Sequence, residues 1–332
     1  MGEIWVTEQG ARLSLDHQRL VIAKDETILA EAPLGQVERV MVLGNIHITT
    51  PAIKRLLTRG IPLVFMGLDG RYYGRLVGQM APHIALRRQQ YLWQGHSAFV
   101  LAMAQRMVVG KVRNQHTLLQ RQSQQGHEGL EEALVDLEYF EARAKRTQTL
   151  HALRGVEGSA TARYFAAYRL LFREPWHFER RTRRPPLDAI NVLLSLGYTF
   201  LVRLAESAVE GVGLDPYAGF LHQDEYNRPS LALDLCEEFR CVIEGLVLHV
   251  CHHGIIRPED FRPGEEGERP LVMEREAIKR YVQAYEERFQ RPVRHPRTLE
   301  QMPLWRFVYL QAQEVARCLR EGQPDYRALV FR

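Results

Sequence analysis

The chain has 332 residues, of which 45% are hydrophobic and 25% charged, as in an ordinary soluble globular protein. This length predicts two domains, and the net charge of +4 is too small to indicate nucleic-acid binding by itself. No uninterrupted apolar run is long enough for a membrane span, and the start of the chain does not resemble a signal peptide, so we expect a cytoplasmic protein with no membrane association.

The first 80 residues have the pattern of short strands separated by turns. Runs with alternating or β-branched residues lie at 4–7, 12–16, 19–23, 27–31, 37–42, 61–66 and 72–77. One short helix is predicted at 52–59, because Thr50 can cap it, Pro51 suits its first turn and Gly60 can end it. Residues 1–80 are therefore predicted to form a small, mostly β domain.

From about residue 85 the hydrophobic pattern is helical. Helices are predicted at 85–93, 97–122, 130–150, 158–172, 189–209, 230–253, 274–289 and 304–320. Residues 85–332 are accordingly predicted to form one large all-α domain. The expected fold class is a two-domain α+β protein.

The cysteines lie late in the chain and mostly within helical patterns, at Cys236, Cys241, Cys251 and Cys318. This distribution differs from that of a disulfide framework and predicts reduced thiols in a core. A zinc site that combines the first three with His252 and His253 is an alternative. Its spacings match no compact zinc motif, and most of these positions fall on one helix.

Basic residues are concentrated in the segment WHFERRTRRPP, which contains Arg180, Arg181, Arg183 and Arg184. Two prolines prevent a regular helix there, so the arginines are predicted to lie in a loop before the helix that begins near residue 188. The loop is either a solvated surface or a clamp for phosphate groups. Arginine binds phosphate in a bidentate manner, and the neighbouring aromatic residues are compatible with nucleic-acid binding.

An imidazole and several carboxylates lie close together in residues 219–240. On a helix, Asp234 shares a face with Glu237 and with Glu238, and His222 precedes them in a predicted loop. The apolar residues around these carboxylates place them at the edge of a core, where protonation, a basic partner or a metal ion must neutralise them. Glutamate and histidine ligands together suit Mn²⁺ or Mg²⁺.

Glu157, in RGVEGSATARYF, is a further acidic candidate. Gly155 and Gly158 would let a ligand approach closely. If the helix continues, Thr161 and Tyr164 share the face of Glu157, and Tyr164 is a possible site-lining residue. The alternative is a glutamate at the start of a helix, stabilised by the helix dipole, and the local sequence favours this alternative.

The segments VEGSATARYF, RRTRRPPLDAINVLLSLGY, DPYAGFLH and RPSLALDLCEEFR resemble, in order and spacing, the CRISPR-associated integrase family, the metal-dependent nuclease subunit of spacer acquisition. The resemblance covers nearly the whole chain. It implies a homodimer that assembles with a small ferredoxin-like companion protein into a heterohexamer, with dimerisation through the β domain. It also implies binding of double-stranded DNA fragments and joining of their 3′ ends to CRISPR repeat DNA by metal-dependent transesterification.

By position, the resemblance implies Glu157, His222 and Glu237 as catalytic metal ligands, with Mn²⁺ or Mg²⁺ as cofactor, and Asp234 as an acidic neighbour. It also assigns DNA binding to the arginine-rich loop. Many relatives have aspartate where this chain has Glu237, which leaves Glu238 and Asp234 as rivals for the third ligand. Two functional alternatives are a general metal-dependent DNA nuclease and a non-catalytic nucleic-acid scaffold.

Overall fold

The computed structural model describes residues 2–68, 70–78, 83–183, 185–222, 225–265 and 270–331. Its strands, within these residues, are β1 (Glu3–Val6), β2 (Arg12–Asp16), β3 (Arg19–Lys24), β4 (Thr27–Pro33), β5 (Arg39–Leu43), β6 (His47–Ile48), β7 (Leu63–Met66), β8 (Tyr72–Leu76), β9 (Phe261–Pro263), β10 (Leu271–Met273), β11 (Pro292–Arg294) and β12 (Gln301–Pro303). Its α-helices, within the same residues, are α1 (Thr50–Thr58), α2 (Ile84–Gln94), α3 (Ser97–Gln124), α4 (Glu131–Ala144), α5 (Leu150–Tyr168), α6 (Ala189–Val212), α7 (Ser230–His252), α8 (Arg275–Gln290) and α9 (Leu304–Glu321).

The chain divides into two compact units, of which the first combines Met1–Met80 with Val272–Gln290 and the second contains the remainder. Helix α8 therefore belongs to the β-containing unit, which corrects the expected division into 1–80 and 85–332. In that unit Tyr285 packs edge-on against Trp5, with ring centroids 5.7 Å apart, and Lys279 pairs with Glu8 at 2.7 Å. Helical periodicity predicts an apolar face but not the partner of that face.

The first unit contains two four-stranded sheets. One has the order β1-β5-β7-β8, in which β1, β5 and β7 are parallel and β8 is antiparallel to β7. The other has the order β4-β3-β2-β6, in which β2, β3 and β4 are antiparallel and β6 is parallel to β2. Strand β5 is buried along its whole length, which agrees with its place between β1 and β7.

Glu286 on α8 is expected to make the stability of the chain depend on pH. Burial, together with the charges of Glu3 and Glu287, raises the pKa of Glu286 to about 8. The folded chain therefore holds this proton more tightly than the unfolded chain. The resulting stabilisation is present at pH values below about 4.5 and is lost as the pH rises through about 8.

Glu286→Gln is expected to raise the melting temperature at pH 8.5, by an amount equivalent to roughly 2 kcal/mol, and to change it little at pH 5. Thermal denaturation at both pH values measures this difference. Glu287→Gln, at the neighbouring exposed position, is the control and should give a smaller gain. An equal gain from Glu286→Gln at both pH values would contradict the assignment.

Helices α6 and α7 occupy the centre of the second unit. Helix α7 packs against α6 and α3, and α3 also packs against α4 and α5. Asp188 caps the start of α6, where its carboxylate accepts the Asn191 N–H at 2.8 Å, and Gly213 caps the end in the left-handed conformation. This packing brings α5 and α7, which carry the predicted acidic residues, onto α3.

Helix α6 is long and apolar enough to cross a membrane, the one such helix among the described residues. Its apolar window is 78% buried inside the chain, as in a core helix of a soluble protein.

The four cysteines are free and buried, in agreement with the predicted core thiols. Across the part of the chain that the structure describes, no group of cysteine, histidine and acidic side chains could hold a metal ion, so the zinc alternative gains no support.

Candidate metal and nucleic-acid site

The ammonium group of Lys111 joins two carboxylates from different helices. Lys111 lies on α3, Glu157 on α5 and Glu237 on α7. Lys111 Nζ contacts Glu157 Oε1 and lies 2.6 Å from Glu237 Oε2. The side chains of Lys111 and Glu237 are each 3% exposed, whereas that of Glu157 is 24% exposed. The three helices therefore meet at a buried charged cluster that reaches solvent at Glu157.

Attraction between the opposite charges of this cluster offsets the cost of burying them. Burial opposes ionisation of Glu237, but Arg240 and Lys111 outweigh it and hold the pKa of Glu237 well below its ordinary value. Arg240 donates a hydrogen bond to Glu237 Oε1 at 2.8 Å. Burial also opposes the charge on Lys111, but Glu237 and Glu157 outweigh it and raise the pKa of Lys111. Glu237 is therefore an ionised carboxylate between two cations.

Asp234 holds the loop that carries His222. Its buried carboxylate accepts the backbone N–H groups of Phe220, Leu221 and His222 at 2.6, 2.9 and 3.0 Å. His222 Nδ1 lies 2.6 Å from Asp234 Oδ1. A neutral ring that donates from Nδ1 keeps its lone pair on Nε2, and this atom lies 3.9 Å from Glu237 Oε1. Asp234 therefore positions His222 and does not contact Lys111.

Glu238, the other rival for the third ligand, is directed toward the end of the chain. Its Oε2 atom accepts hydrogen bonds from Gln311 Nε2 at 2.9 Å and from the Leu329 N–H at 2.7 Å. Burial raises the pKa of Glu238 to about 7. Among Asp234, Glu237 and Glu238, only Glu237 forms an ion pair with Lys111 in the described residues.

Gly219 and Arg154 fix the same loop against the neighbouring helices. A Cβ atom at Gly219 would lie 2.8 Å from Ser230 and 2.9 Å from Asp234 Oδ2, so a larger residue would force the loop away from the start of α7. Arg154 Nε donates to the Leu221 carbonyl at 2.7 Å. Because Arg154 lies one turn before Glu157 on α5, this bond connects the helix of Glu157 to the loop of His222.

Glu157 lies in the middle of a helix. Helix α5 begins directly after its N-cap, Thr149, whose side chain accepts the Ala152 N–H at 3.2 Å. The helix predicted at 130–150 ends at Ala144, and α5 begins at Leu150 instead of near residue 158. Gly155 and Gly158 therefore lie within α5, on its exposed side, without breaking it. The interpretation of Glu157 as a helix-start glutamate stabilised by the dipole is therefore wrong.

Tyr164, expected as a possible site-lining residue, belongs to the core. It is fully buried, and its hydroxyl donates to Glu244 Oε2 at 2.7 Å. Tyr198 donates to the other oxygen of Glu244 at 2.6 Å. The guanidinium carbon of Arg240 lies 4.7 Å from the centre of the Tyr198 ring. This buried network thus supports the arginine that pairs with Glu237.

The arginine-rich loop is partly built into the core. Arg180 and Arg183 are exposed, whereas Arg181 donates to Asn191 Oδ1 at 2.7 Å. Burial lowers the pKa of Arg181. Arg184 lies outside the described residues. Of the four arginines expected to contact phosphate, the structure therefore shows Arg180 and Arg183 exposed and Arg181 bonded internally.

A groove of about 420 Å³ lies between this loop and the charged cluster. Its lining includes Glu157, Gly158 and Ala162 from α5 and the loop residues Arg180 and Arg183. The small side chains of α5 allow close approach of a ligand backbone, and the arginines supply positive charge. The groove connects the exposed Arg180 and Arg183 with Glu157 of the charged cluster.

The family model for CRISPR associated protein Cas1 matches residues 4–287, which is most of the chain. The chain belongs to this family. It is 35% identical to the CRISPR-associated endonuclease Cas1 3 of Thermus thermophilus, over 100% of this chain and 98% of that protein. The resemblance inferred from the four sequence segments is thereby confirmed.

Solved structures share the fold of this Cas1 family member. A Cas6-RT-Cas1–Cas2 complex matches with a TM-score of 0.83 and 30% identity, covering 99% of this chain and 36% of that longer chain. A casposase bound to integration product matches with a TM-score of 0.84, covering 100% of this chain and 95% of that chain. Its identity is 20%, so this likeness concerns the fold. The predicted α+β fold class is confirmed.

Together with His222, the charged cluster has donor atoms that suit a divalent cation. Glu157 and Glu237 already share one cation, the ammonium of Lys111. Glu237 Oε2 accepts no hydrogen bond from the residues that the structure describes, and His222 directs Nε2 toward the same carboxylate. Two carboxylates and an imidazole suit Mn²⁺ or Mg²⁺.

The same residues need one rearrangement before they can hold a metal. As arranged, no three histidine, cysteine, aspartate or glutamate side chains in the described ranges could bind an ion together. Lys111 contacts both carboxylates and would have to withdraw from them. The donor types therefore suit a divalent metal, while Lys111 pairs with both carboxylates in this arrangement.

Sequence reasoning missed Lys111 and Arg240 as parts of this Cas1 site. Lys111 carries a signal, because it is one of five lysines in a chain with 39 arginines and lies in the apolar stretch MVVGKV. Arg240 lies one turn after Glu237 on α7. Lys111 contacts Glu157 and Glu237 only through the packing of three helices, and the local sequence around Lys111 does not identify these partners.

Proposed function

We propose that this chain is a DNA endonuclease and integrase that joins the 3′ ends of short double-stranded DNA fragments to CRISPR repeat DNA in antiviral defence. The observation that carries the proposal is the groove that leads from Arg180 and Arg183 to Glu157 and the Lys111 cluster. Arginines bind the phosphate backbone, but a phosphate beside two carboxylates requires a cation to offset their charge. The endonuclease name of the Thermus relative supports the same activity.

Glu157, His222 and Glu237 would hold Mn²⁺ or Mg²⁺. When bound, the ion supplies Lewis-acid stabilisation of negative charge on the phosphate. Asp234 keeps the His222 ring oriented with Nε2 toward Glu237, and Arg240 keeps Glu237 ionised. The protein thereby orients His222 and keeps Glu237 charged before the substrate arrives.

The arginine-rich loop and the groove hold the DNA backbone so that a 3′ hydroxyl can attack a repeat phosphate in line. The attacking 3′ hydroxyl loses its proton as its oxygen forms a new P–O bond, one P–O bond of the repeat breaks, and the leaving oxygen takes up a proton. One phosphodiester replaces another, so the step requires no oxidant and no energy-rich cofactor.

The arginines are expected to set the salt dependence of DNA binding. Changing Arg180 and Arg183 together to alanine should weaken binding and reduce the slope of log K against log salt concentration by about 2, if each contacts one phosphate. Fluorescence anisotropy over a range of salt concentrations measures this slope. The matched control changes Arg121 and Arg320, two exposed arginines outside the groove lining, and should preserve it. An unchanged slope in the Arg180 and Arg183 variant would indicate that these residues form a solvated surface and do not contact phosphate.

The proposed assembly is a cytoplasmic homodimer, formed through the β-containing unit, that joins a small ferredoxin-like companion in a heterohexamer. The match to a Cas6-RT-Cas1–Cas2 complex supports a Cas2 partner. The buried free cysteines are compatible with a reducing compartment. Size-exclusion chromatography with light scattering, with and without the companion, tests the stoichiometry.

An integration assay separates this proposal from its alternatives. Labelled DNA with free 3′ hydroxyls is incubated with repeat-containing plasmid and Mn²⁺, with and without the companion protein. Label joined to the repeat supports an integrase, whereas cutting without joining indicates a general nuclease. DNA binding with neither reaction, and with no bound metal, indicates a scaffold.

A further inference from the structure

Lys111 has an unusual environment for a lysine. Its side chain is 3% exposed, and its helix neighbours Met107, Val108 and Val112 are buried hydrophobic residues. A buried ammonium is unfavourable unless it is paired. Both of its ion-pair partners, Glu157 and Glu237, are residues to which the proposed function assigns metal binding. The lysine therefore contacts the same carboxylates that a divalent cation would need.

The charges of the cluster balance without a metal. Two carboxylates, Glu157 and Glu237, face two cations, Lys111 and Arg240. A divalent ion added to this set would bring further positive charge close to both cations in a largely buried place, which is unfavourable. Withdrawal of one resident cation would relieve this repulsion when the metal binds.

Lys111 is the cation that can withdraw. Arg240 is bonded to Glu237 at 2.8 Å and lies over the Tyr198 ring, so its planar group is fixed on two sides. Lys111 has a flexible four-carbon stem and a compact charge, and its contact with Glu237 Oε2 lacks hydrogen-bond geometry. Its partner Glu157 lies at the groove, where the cluster reaches solvent.

We propose that Lys111 is an internal counter-cation of the metal site, which holds Glu157 and Glu237 together in the metal-free chain and competes with the divalent ion for them. This inference rests on the proposed metal-dependent function. It assigns Lys111 a positioning role: the lysine keeps the carboxylates assembled before the metal arrives, and it lowers the affinity for the metal.

Lys111→Met tests the inference, because methionine fills similar space without charge. In EDTA, the variant should melt below wild type, since the two carboxylates then repel each other. MnCl₂ should raise its melting temperature more than that of wild type, and calorimetry should show Mn²⁺ binding tighter by about tenfold or more. Lys145→Met removes the lysine of an exposed pair with Glu141 and should match wild type in both conditions.

A second variant preserves the test if Lys111→Met folds poorly. Adding Glu157→Gln to Lys111→Met removes the repulsion and should restore the melting temperature in EDTA. Equal melting of Lys111→Met and wild type in EDTA, with equal Mn²⁺ affinity, would overturn the inference, as would failure of Glu157→Gln to restore stability. If Mn²⁺ fails to bind wild type, the proposed metal site is wrong. If Mn²⁺ binds wild type and Lys111→Met with equal affinity, the metal site stands and the role of Lys111 is wrong.

Discussion

Glu237→Gln is expected to abolish joining of DNA 3′ ends to repeat DNA while leaving most DNA binding intact. The amide keeps the shape of the side chain but loses the charge that Lys111 and Arg240 hold in the ionised state. Loss of a residue that only orients a metal ligand typically costs roughly 10–100-fold, so loss of the ligand itself should exceed this. A gel assay of strand transfer, with DNA affinity measured in parallel, gives both quantities.

Glu238→Gln is the matched control for that experiment. Glu238 is the next residue on α7, but its carboxylate accepts hydrogen bonds from Gln311 and Leu329 and not from the cations of the cluster. Its variant should therefore retain strand transfer. If Glu237→Gln retained activity and Glu238→Gln lost it, Glu238 and not Glu237 would be the metal ligand.

Asp234→Ala should have the largest effect on the structure of the site. Its carboxylate accepts three backbone N–H groups and also contacts the His222 ring, so alanine would leave these buried donors without an acceptor. We expect a loss of about 3 kcal/mol or more in the free energy of unfolding. Urea denaturation measures this loss, and hydrogen exchange of the amides at 220–222 should increase.

The control for Asp234→Ala lies in the preceding part of the same loop region. Asp215 accepts the Tyr217 N–H at 2.8 Å and the Tyr91 hydroxyl at 2.6 Å in a less buried place. Asp215→Ala should cost less stability and leave exchange at 220–222 unchanged. If Asp234→Ala is no more harmful than Asp215→Ala, then Asp234 does not hold the His222 loop.

The fold was largely predictable because the change from short alternating runs to helical periodicity is strong. The assignment of α8 was not, because its amphipathic pattern records an apolar face without identifying the partner. Tyr285 and Lys279 reveal that partner only in three dimensions, through Trp5 and Glu8. Local periodicity thus determined element type better than it determined domain membership.

Residues of the site were predictable to different degrees. His222 and Asp234 are close in sequence, and their proximity in space follows from a loop that returns to the start of α7. Glu157 lies in the middle of α5 because Thr149 is the N-cap of that helix, whereas the exposed glycines in the sequence predict a later helix start. Lys111 was missed because its partners are 46 residues away on α5 and still farther away on α7.

Calorimetric titration of the metal-free chain with Mn²⁺ tests most directly the central claim, that Glu157, His222 and Glu237 form one metal site. We predict one binding site per chain in wild type and loss of that site in Glu237→Ala, with both proteins folded by circular dichroism. Absence of binding to wild type, or undiminished binding to Glu237→Ala, would contradict it.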